Sequence, residues 1–396
     1  MSAIRICLSD PVLRAAGLIL ALQGAVACSF NPYVSTLAVN SFGFGDRGYA
    51  IILALASLVA VSASVYGGIR ADQTARRKRI TLTAILALLT GCLLMTVHPT
   101  RWTFALTAAF LIPISSVTFG QVFALARLAA TRYPPDLRDG IMAVIRALFA
   151  APFVVVLPLW SVAFAAGAPV TLIFPVAFVL SILMLAAVLR LWPADGTARW
   201  DDRPSGLSFR AALSEMGQPR VAARVIALGA VFSASTVYMA IVSLVMVRSV
   251  GRGPQDVALY VGLVAGLEVP FMLMIPGLTR GIPSTRLIFA GAALYCLHVA
   301  LLPALAGSPL VWLLVLPAAI GGAVILTVPI AYLQDLLADR PGAGASLMAV
   351  QRLAGDVIAA GCFSLGTTLS GYGAVALFGV AASLIGAASL RVADRR

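Results

Sequence analysis

The chain has 396 residues, of which 61% are hydrophobic and 11% charged, and its mean hydropathy is +1.00. Soluble domains carry about 25% charged residues, so this composition excludes a soluble enzyme and predicts an integral membrane protein with little mass outside the bilayer. The formal net charge is +13. The five cysteines are scattered along the chain without a Cys/His cluster, so the sequence predicts neither disulfides nor a metal site, and no cofactor is expected.

Twelve apolar segments follow one another along the chain, each about long enough to cross a hydrocarbon core of ~30 Å as a helix. They lie at 15–40, 48–69, 80–97, 103–129, 139–164, 169–192, 221–247, 256–279, 286–305, 310–335, 343–368 and 372–391. One charged stretch that contains Pro and Gly separates the sixth segment from the seventh. The sequence therefore predicts an all-α membrane protein with an N-terminal six-helix half (1–192), a cytoplasmic linker (193–220) and a C-terminal six-helix half (221–396).

A basic loop, Gly68–Arg79, lies between spans 2 and 3 and holds five basic residues in its last ten positions, including Lys78, the only lysine. Loops of this kind stay on the cytoplasmic side. With that assignment, 22 of the 28 Lys and Arg residues fall on the cytoplasmic side and two fall within spans, while four lie opposite: Arg47, Arg101, Arg248 and Arg252. The basicity therefore indicates topology, with both termini cytoplasmic, and not a nucleic-acid partner.

The two halves repeat in sequence. Ile141–Arg146 (IMAVIR) in span 5 matches Leu347–Arg352 (LMAVQR) in span 11, 206 residues later. Gly24 in span 1 likewise matches Gly229 in span 7, 205 residues later. Two six-helix units in the same orientation are parallel repeats, which are typical of secondary transporters whose halves move about a central site.

Charged residues inside apolar spans cost at least ~2.5 kcal/mol each at the centre of a helix and usually mark function or a buried partner. Glu268 is the sharpest candidate because it lies ~18 Å from either end of span 8. There, desolvation favours a neutral carboxyl group that could bind and release a proton. The alternative is a buried ion pair with Arg146 of span 5, which requires that spans 5 and 8 meet between the halves. A pair formed in only one conformation would itself be a switch.

Further candidates for proton coupling or gating lie in spans 10 and 11. Arg352 and Asp356 are four residues apart on one helix face, so each can satisfy the other. Arg352 and Arg146 occupy equivalent positions in the repeats, which favours an architectural role near an inner gate as much as a substrate contact. Asp335 ends span 10, near the predicted cytoplasmic surface. His298 stands alone in apolar span 9 and is expected to be a packing residue.

Neutral polar side chains on spans 1, 4, 7 and 10 suit a sugar or a similar small polar ligand, because amides and an aromatic face hold carbohydrates. These candidates are Gln23, Asn31, Tyr33, Gln121, Tyr238 and Gln334. The alternative is that each one binds its helix to a neighbour. The Asn31-Pro32 sequence and Pro270 predict kinks within their spans. Gly321 and Gly322 predict a helix-packing face, and the chain has no phosphate-binding G-x-x-x-x-G-K-[ST] motif for ATP.

The basic loop resembles the loop between helices 2 and 3 of the major facilitator superfamily at Gly68, Asp72, Arg76, Arg77 and Lys78. The resemblance implies that the glycine lets two helices approach closely and that the aspartate caps a neighbouring helix. It also implies that the basic residues meet carboxylates or helix C-termini. Gln73 and Ala75 depart from the family, which usually has arginine and glycine there.

Three blocks carry a closer likeness, to the bacterial sugar efflux transporter family of that superfamily. They are Gln121–Arg127 (QVFALAR), Val264–Pro270 (VAGLEVP), and Gln334–Leu337 (QDLL) with Arg340–Ala345 (RPGAGA). The resemblance runs through essentially the whole chain. It implies a twelve-helix exporter of sugars or small glycosides in the bacterial inner membrane, driven by protons, in which Glu268, Asp335, Arg127 and Gln334 inherit the roles of those blocks. We expect the transporter to be a monomer.

Two other functions stay open. An exporter of drugs or metabolites would have the same helices, and 8% aromatic residues does not decide between them. A membrane sensor or scaffold would need an output domain, whereas the longest hydrophilic stretch has about 28 residues. A membrane-embedded enzyme would need clustered nucleophiles or metal ligands, and none are present in the sequence.

Overall fold

A computed structural model describes residues 3–194, 219–278, 281–336 and 341–394. The predicted linker, 193–220, therefore falls almost wholly outside the described residues. Within these ranges the chain is helical and contains no strand. This confirms the all-α prediction.

The helices of the N-terminal half follow the predicted spans, with short π-helical or 3₁₀ segments joined to three of them. These helices are α1 Ala3–Ser9, α2 Pro11–Phe30, α3 Val34–Thr36 (continued as a π-helix to Ser41), α4 Gly45–Thr74, α5 Arg77–Val97, α6 Arg101–Leu106 (continued as a π-helix to Leu111), α7 Ile112–Ile114, α8 Val117–Ala130, α9 Pro135–Ala165 and α10 Ile173–Leu191, preceded by a 3₁₀ turn at Val170–Leu172. A turn at 31–33 separates α2 from α3, which confirms the break predicted at Asn31-Pro32.

The C-terminal half has the same number of long helices. These are α11 Pro219–Ser243 (continued as a π-helix to Ser249), α12 Pro254–Leu278, α13 Ser284–Leu305, α14 Val315–Leu336 (preceded by a 3₁₀ segment from Pro309), α15 Pro341–Leu369 and α16 Tyr372–Ala393. Helix α12 continues through Pro270, where the sequence had predicted a kink.

Eleven helical segments of the described chain are long and apolar enough to cross a membrane. The twelfth predicted span, 343–368, lies in α15, which is not among the eleven. At 29 residues α15 is nonetheless longer than the ~20 residues that a crossing requires. It carries Gln351, Arg352 and Asp356 within its length, and these polar residues lower its hydropathy.

The described residues form two compact units. The first comprises 3–30, 58–156 and 171–194, and the second comprises 31–57, 157–170 and the described part of 219–394. Helices α4 and α9 each contribute residues to both units. The second unit thus contains residues 31–57 and 157–170 of the N-terminal half together with the C-terminal helices.

The packing within the units repeats as the sequence does. In the first unit α2 packs on α10 and α8, and α5 packs on α10 and α8. In the second unit the equivalent helix α11 packs on α16 and α15, and α13 packs on α16 and α14. The pair of spans 1 and 6 thus corresponds to the pair of spans 7 and 12, as expected of two repeats.

The repeated glycines explain one shared helix crossing. A Cβ at Gly24 would collide with the carbonyl oxygen of Phe149 on α9, and a Cβ at Gly229 would lie 2.8 Å from the carbonyl oxygen of Gln351 on α15. In both repeats a glycine therefore lets the first helix of a half touch the backbone of the fifth.

Candidate functional site

Glu268 lies on α12 and is half-buried. Its side chain occupies the space that a Cβ at Gly322 of α14 would fill, because that atom would collide with Oε1 and lie 3.0 Å from Cδ. A Cβ at the neighbouring Gly321 would lie 2.6 Å from the backbone nitrogen of Tyr295 on α13. The glycine pair is therefore a packing face, as predicted, and it makes room for the carboxyl group.

A cluster of aromatic polar side chains is buried in the same unit. We call it the tyrosine–histidine cluster, and its members are Tyr238 (α11), Tyr260 (α12), Tyr295 and His298 (α13). The His298 ring lies 4.8 Å from Tyr238, 6.0 Å from Tyr260 and 5.4 Å from Tyr295, measured between ring centroids. Glu268 and the backbone of Tyr295 lie against two adjacent glycines of α14, Gly322 and Gly321.

Polar atoms in this cluster lack protein partners. The hydroxyls of Tyr238 and Tyr260 and both ring nitrogens of His298 are buried and have no hydrogen bond within the described part of the chain. Glu268 likewise forms no ion pair with a described side chain of its own unit. His298 is thus buried, as expected, but against three tyrosines and not in apolar packing. Its role depends on contacts between helices that a single-span pattern does not reveal.

The two glutamines predicted to bind substrate lie in the first unit on different helices. The amide nitrogen of Gln23 lies 3.4 Å from the carbonyl oxygen of Ser115, and that of Gln121 lies 3.4 Å from the carbonyl oxygen of Gly67. In both side chains the amide oxygen is buried without a partner among the described residues. Each glutamine thus keeps one acceptor available.

Asn31 and Tyr33, two predicted substrate-binding residues of span 1, lie in different surroundings. Asn31 is exposed in the turn after α2. Tyr33 is fully buried, donates a hydrogen bond to the carbonyl oxygen of Pro254 at 2.9 Å, and packs edge-on against Phe164. Its repeat equivalent, Tyr238, instead belongs to the tyrosine–histidine cluster. Tyr33 thus joins N-terminal and C-terminal segments, which is a structural contact.

The structure also describes the charged candidates of spans 5 and 11. Arg352 Nε lies 4.0 Å from Asp356 Oδ2, at the outer limit of an ion pair, and the Arg352 side chain is 69% exposed. Asp356 also accepts a hydrogen bond of 2.8 Å from Thr236. The predicted pairing is thus present but weak. Arg146 is exposed on α9, and its pairing with Glu268 stays a prediction.

Three predicted site residues have side chains outside the described part of the structure. Gln334 and Asp335 lie near the end of α14, and Asp72 lies near the end of α4. Their predicted roles in binding, gating and helix capping stay predictions.

The basic loop agrees with some of the expectations drawn from its resemblance to the major facilitator loop and departs from others. The close helix approach expected at Gly68 belongs to Gly67, where a Cβ would lie 2.7 Å from Val117, whereas a Cβ at Gly68 would meet no described atom within 4 Å. Ala75, which stands where the family usually has glycine, adopts a left-handed conformation with φ of 52°. That conformation is strained for any residue with a Cβ.

The basic residues of this loop begin α5. Arg76 precedes the helix and Arg77 is its first residue. Lys78 donates hydrogen bonds to the carbonyl oxygens of Leu189 at 3.1 Å and Trp192 at 2.8 Å, at the C-terminal end of α10. A cation there satisfies free carbonyls and complements the helix dipole. The sole lysine therefore meets a helix C-terminus, as the resemblance implied.

Asp10 is a buried carboxylate that the sequence analysis did not single out. It accepts hydrogen bonds from the backbone nitrogens of Val12 at 2.9 Å and Leu13 at 3.1 Å, and so caps α2 ahead of Pro11. Its other oxygen accepts from Tyr133 at 2.8 Å and from Arg132. Burial alone would raise the pKa of Asp10, but these hydrogen bonds and the Arg132 charge together lower it. The Asp-Pro sequence at a helix start was the available signal.

A second polar network lies at the other ends of the spans, within the second unit. Asp46 accepts hydrogen bonds from Arg248 at 3.3 Å and Tyr372 at 3.0 Å, and Arg248 also donates to the Tyr372 hydroxyl at 2.7 Å. Ser243 lies 3.0 Å from Ser35 and accepts from Thr36 at 2.7 Å, both measured between hydroxyl oxygens. We call these six residues the seal network, because they join the two halves of the sequence. Arg248 stood out in the sequence because few charged residues lie on this side. The sequence did not identify its partners.

No protein-family model matches the chain. A Deinococcus radiodurans protein named "Putative sugar efflux transporter" is 29% identical over 400 residues, covering 97% of this chain and 98% of that protein. The crystal structure of a mutant of the nucleoside transporter NupG matches with a TM-score of 0.77 and 14% identity, covering 97% of this chain and 100% of that one. The D-xylose-proton symporter matches with a TM-score of 0.70 and 13% identity, covering 95% and 96%.

The structural matches show the fold, and the sequence match runs over essentially the whole chain. Together they exclude an enzyme and confirm a secondary transporter that spans the membrane many times. They also confirm the resemblance to the bacterial sugar efflux transporters drawn from the three sequence blocks. Over nearly its whole length the chain is thus similar to a bacterial sugar efflux transporter, and it shares the fold of the solved transporters.

Proposed function

We propose that this transporter exports sugars or small glycosides from the cytoplasm across the bacterial inner membrane in exchange for protons. The observation that carries the substrate class is the 29% identity over 97% of the chain to a protein named as a sugar efflux transporter. The basic loop and the distribution of Lys and Arg support cytoplasmic termini. The protein would act as a monomer in which the six-helix halves give alternating access.

The side chains of the first unit support a polar substrate. Gln23 and Gln121 each keep a buried amide oxygen without a partner in the described chain. Because a buried acceptor left without a hydrogen bond costs about 1–3 kcal/mol, a sugar hydroxyl that donates to it would bind favourably. Gln334 would add a third amide from span 10.

Glu268 is the residue we propose for proton coupling. It sits at mid-span against Gly322, without an ion-pair partner among the described side chains of its own unit. Protonation from the periplasmic side would neutralise it and favour the conformation that resets the cycle. Arg146, Asp335, Arg352 and Asp356 would act in gating.

The test uses inverted membrane vesicles, whose interior corresponds to the periplasm, with an imposed acidic interior. Accumulation of a radiolabelled galactoside or glucoside that collapses with a protonophore would support proton-coupled sugar export. Vesicles from cells without the protein are the control. Absence of accumulation, with normal insertion of the protein, would contradict the sugar substrate and favour drug or metabolite efflux by the same fold.

A further inference from the structure

The tyrosine–histidine cluster is not explained by packing. Its four buried polar atoms without partners cost about 1–3 kcal/mol each, whereas phenylalanine at the same positions would fill similar space without that cost. Native proteins contain few such atoms, and they usually indicate a function or a bound water. His298 is 0% exposed, so its two nitrogens cannot be satisfied by bulk solvent.

The cluster residues and Glu268 lie at different distances along their helices. Tyr260 lies ~9 Å along α12 from its start, and His298 lies ~10 Å along α13 from its end. Glu268 lies ~21 Å from the start of α12, and Tyr295 lies ~15 Å from the end of α13. Tyr260 and His298 thus lie nearer to these helix ends than Glu268 and Tyr295 do.

The outer end of the cluster reaches a partly exposed residue. Trp312 packs against Tyr260 with 5.8 Å between ring centroids and is half-buried in the 3₁₀ segment before α14. At the inner end, Glu268 lies against Gly322, and the backbone of Tyr295 lies against the neighbouring Gly321. Ring contacts thus connect Trp312 to Tyr260, Tyr260 to His298, and His298 to Tyr238.

The titratable groups around His298 come from three helices. They are Tyr238 from α11, Tyr260 from α12 and Tyr295 from α13 itself, each with its ring against the imidazole. Helices α14 and α16 also pack on α13, but the titratable side chains described on them make their contacts elsewhere. Tyr332 donates to Asp394, Tyr372 donates to Asp46, and Arg391 lies over Phe289.

We propose that Tyr260, His298 and Tyr238 form a water-bridged proton relay that connects the membrane side opposite the basic loop to Glu268. Imidazole accepts a proton on one nitrogen and releases the proton of the other, so it is neutral before and after each transfer. A tyrosine hydroxyl both donates and accepts, and a buried water forms about three hydrogen bonds. In each passage one proton leaves the outer solvent and one carboxylate, Glu268, becomes protonated. No other group changes its charge.

This relay rests on the proposed function, because it supplies protons to the coupling residue from the periplasmic side. It assigns His298 and Tyr260 a role in the rate of protonation, while Glu268 determines the equilibrium. It also assigns the Tyr238 hydroxyl to proton transfer, where the sequence analysis had placed it among substrate contacts.

The test follows the carbonyl stretch of protonated Glu268 by time-resolved infrared spectroscopy after a light-triggered proton release in proteoliposomes, with no substrate. Glu268→Gln identifies the band by its loss. His298→Phe keeps an aromatic ring but removes both nitrogens, so the band should rise about a hundredfold more slowly while its titration midpoint stays unchanged. Tyr260→Phe and Tyr238→Phe should slow the rise as well, and they remove only one hydroxyl if His298→Phe fails to fold.

Tyr66→Phe is the matched control, because Tyr66 is 62% exposed on α4, outside the cluster. It should leave the rate unchanged. A wild-type rate in the three cluster variants, with a normal Glu268 band, would overturn the relay and leave proton-coupled export standing. Absence of any Glu268 band between pH 5 and pH 8 would overturn both the relay and the coupling role of Glu268, whereas vesicle uptake tests the sugar substrate separately.

Discussion

Asp10 is a buried carboxyl group and Glu268 is a half-buried one, but they differ in their hydrogen-bond and ion-pair partners. Asp10 is 5% exposed and accepts hydrogen bonds from two backbone nitrogens, a tyrosine and an arginine. Glu268 lies against a glycine, with no ion pair to a described side chain of its own unit. A fully partnered carboxylate holds a helix in place, whereas one without fixed partners suits the proton exchange that we propose for Glu268.

The largest effect on stability is expected at Asp10. Asp10→Ala removes the cap of α2 and leaves Arg132 and Tyr133 without their acceptor, so the free energy of unfolding should fall by about 3 kcal/mol. Asp10→Asn retains a capping oxygen and should lose less. Thermal unfolding of the purified protein in detergent measures both, and an unchanged melting temperature for Asp10→Ala would contradict a structural role.

Within the second unit, a hydroxyl group that has hydrogen-bond partners can be compared with one that has no described partner. Ser243→Val leaves Ser35 and Thr36 without their shared partner, so stability should fall by about 2 kcal/mol. Tyr260→Phe removes a hydroxyl that has no described protein partner and should be neutral or slightly stabilising. Melting temperatures distinguish the two variants. Equal losses would mean that the Tyr260 hydroxyl is as well partnered as Ser243.

Strain at the basic loop provides a smaller test of architecture. Ala75→Gly relieves the positive φ of 52° and should stabilise the protein by about 1 kcal/mol. Ala71→Gly, in the last turns of α4 with ordinary helical geometry, should destabilise it by about the same amount. Opposite shifts in melting temperature check the prediction, and a loss of stability in both variants would contradict strain at Ala75.

The smallest effect concerns pH. Because the pKa of Asp10 is lowered in the folded protein from its usual value of 3.8, its charged form contributes stability above about pH 4. That contribution is lost as the pH falls through the folded pKa. The difference in melting temperature between wild type and Asp10→Asn should therefore shrink as the pH is lowered from 7 towards 3. If the difference in melting temperature grew on acidification, the pKa of Asp10 would be raised in the folded protein and not lowered, which would contradict the prediction.

Hydropathy and repetition were sufficient to predict the architecture. Each span has a continuous apolar run, and Gly24 and Gly229 mark the same helix crossing in both repeats because only glycine allows backbone contact there. The Asn31-Pro32 break also follows from local chemistry. These features depend on residues close together in the chain or on a repeated residue type.

The site was less predictable, because it depends on which faces of different helices meet. Glu268 stood out as a charge at mid-span, but nothing in span 9 indicated that His298 faces Tyr238 and Tyr260 from two other helices. Tyr33 and Tyr238 are equivalent in sequence, yet one is bonded to a backbone carbonyl and the other is not. The shift of the close approach from Gly68 to Gly67 likewise depends on where Val117 packs.

The most direct test of the account compares wild type with Glu268→Gln in inverted vesicles that have an acidic interior. If Glu268 couples protons, the variant should lose accumulation of labelled galactoside against a gradient, yet exchange labelled for unlabelled galactoside at the wild-type rate. Exchange needs the substrate site and the conformational change but no net proton movement. A Glu268→Gln protein that still accumulates substrate with the wild-type pH dependence would contradict the central claim.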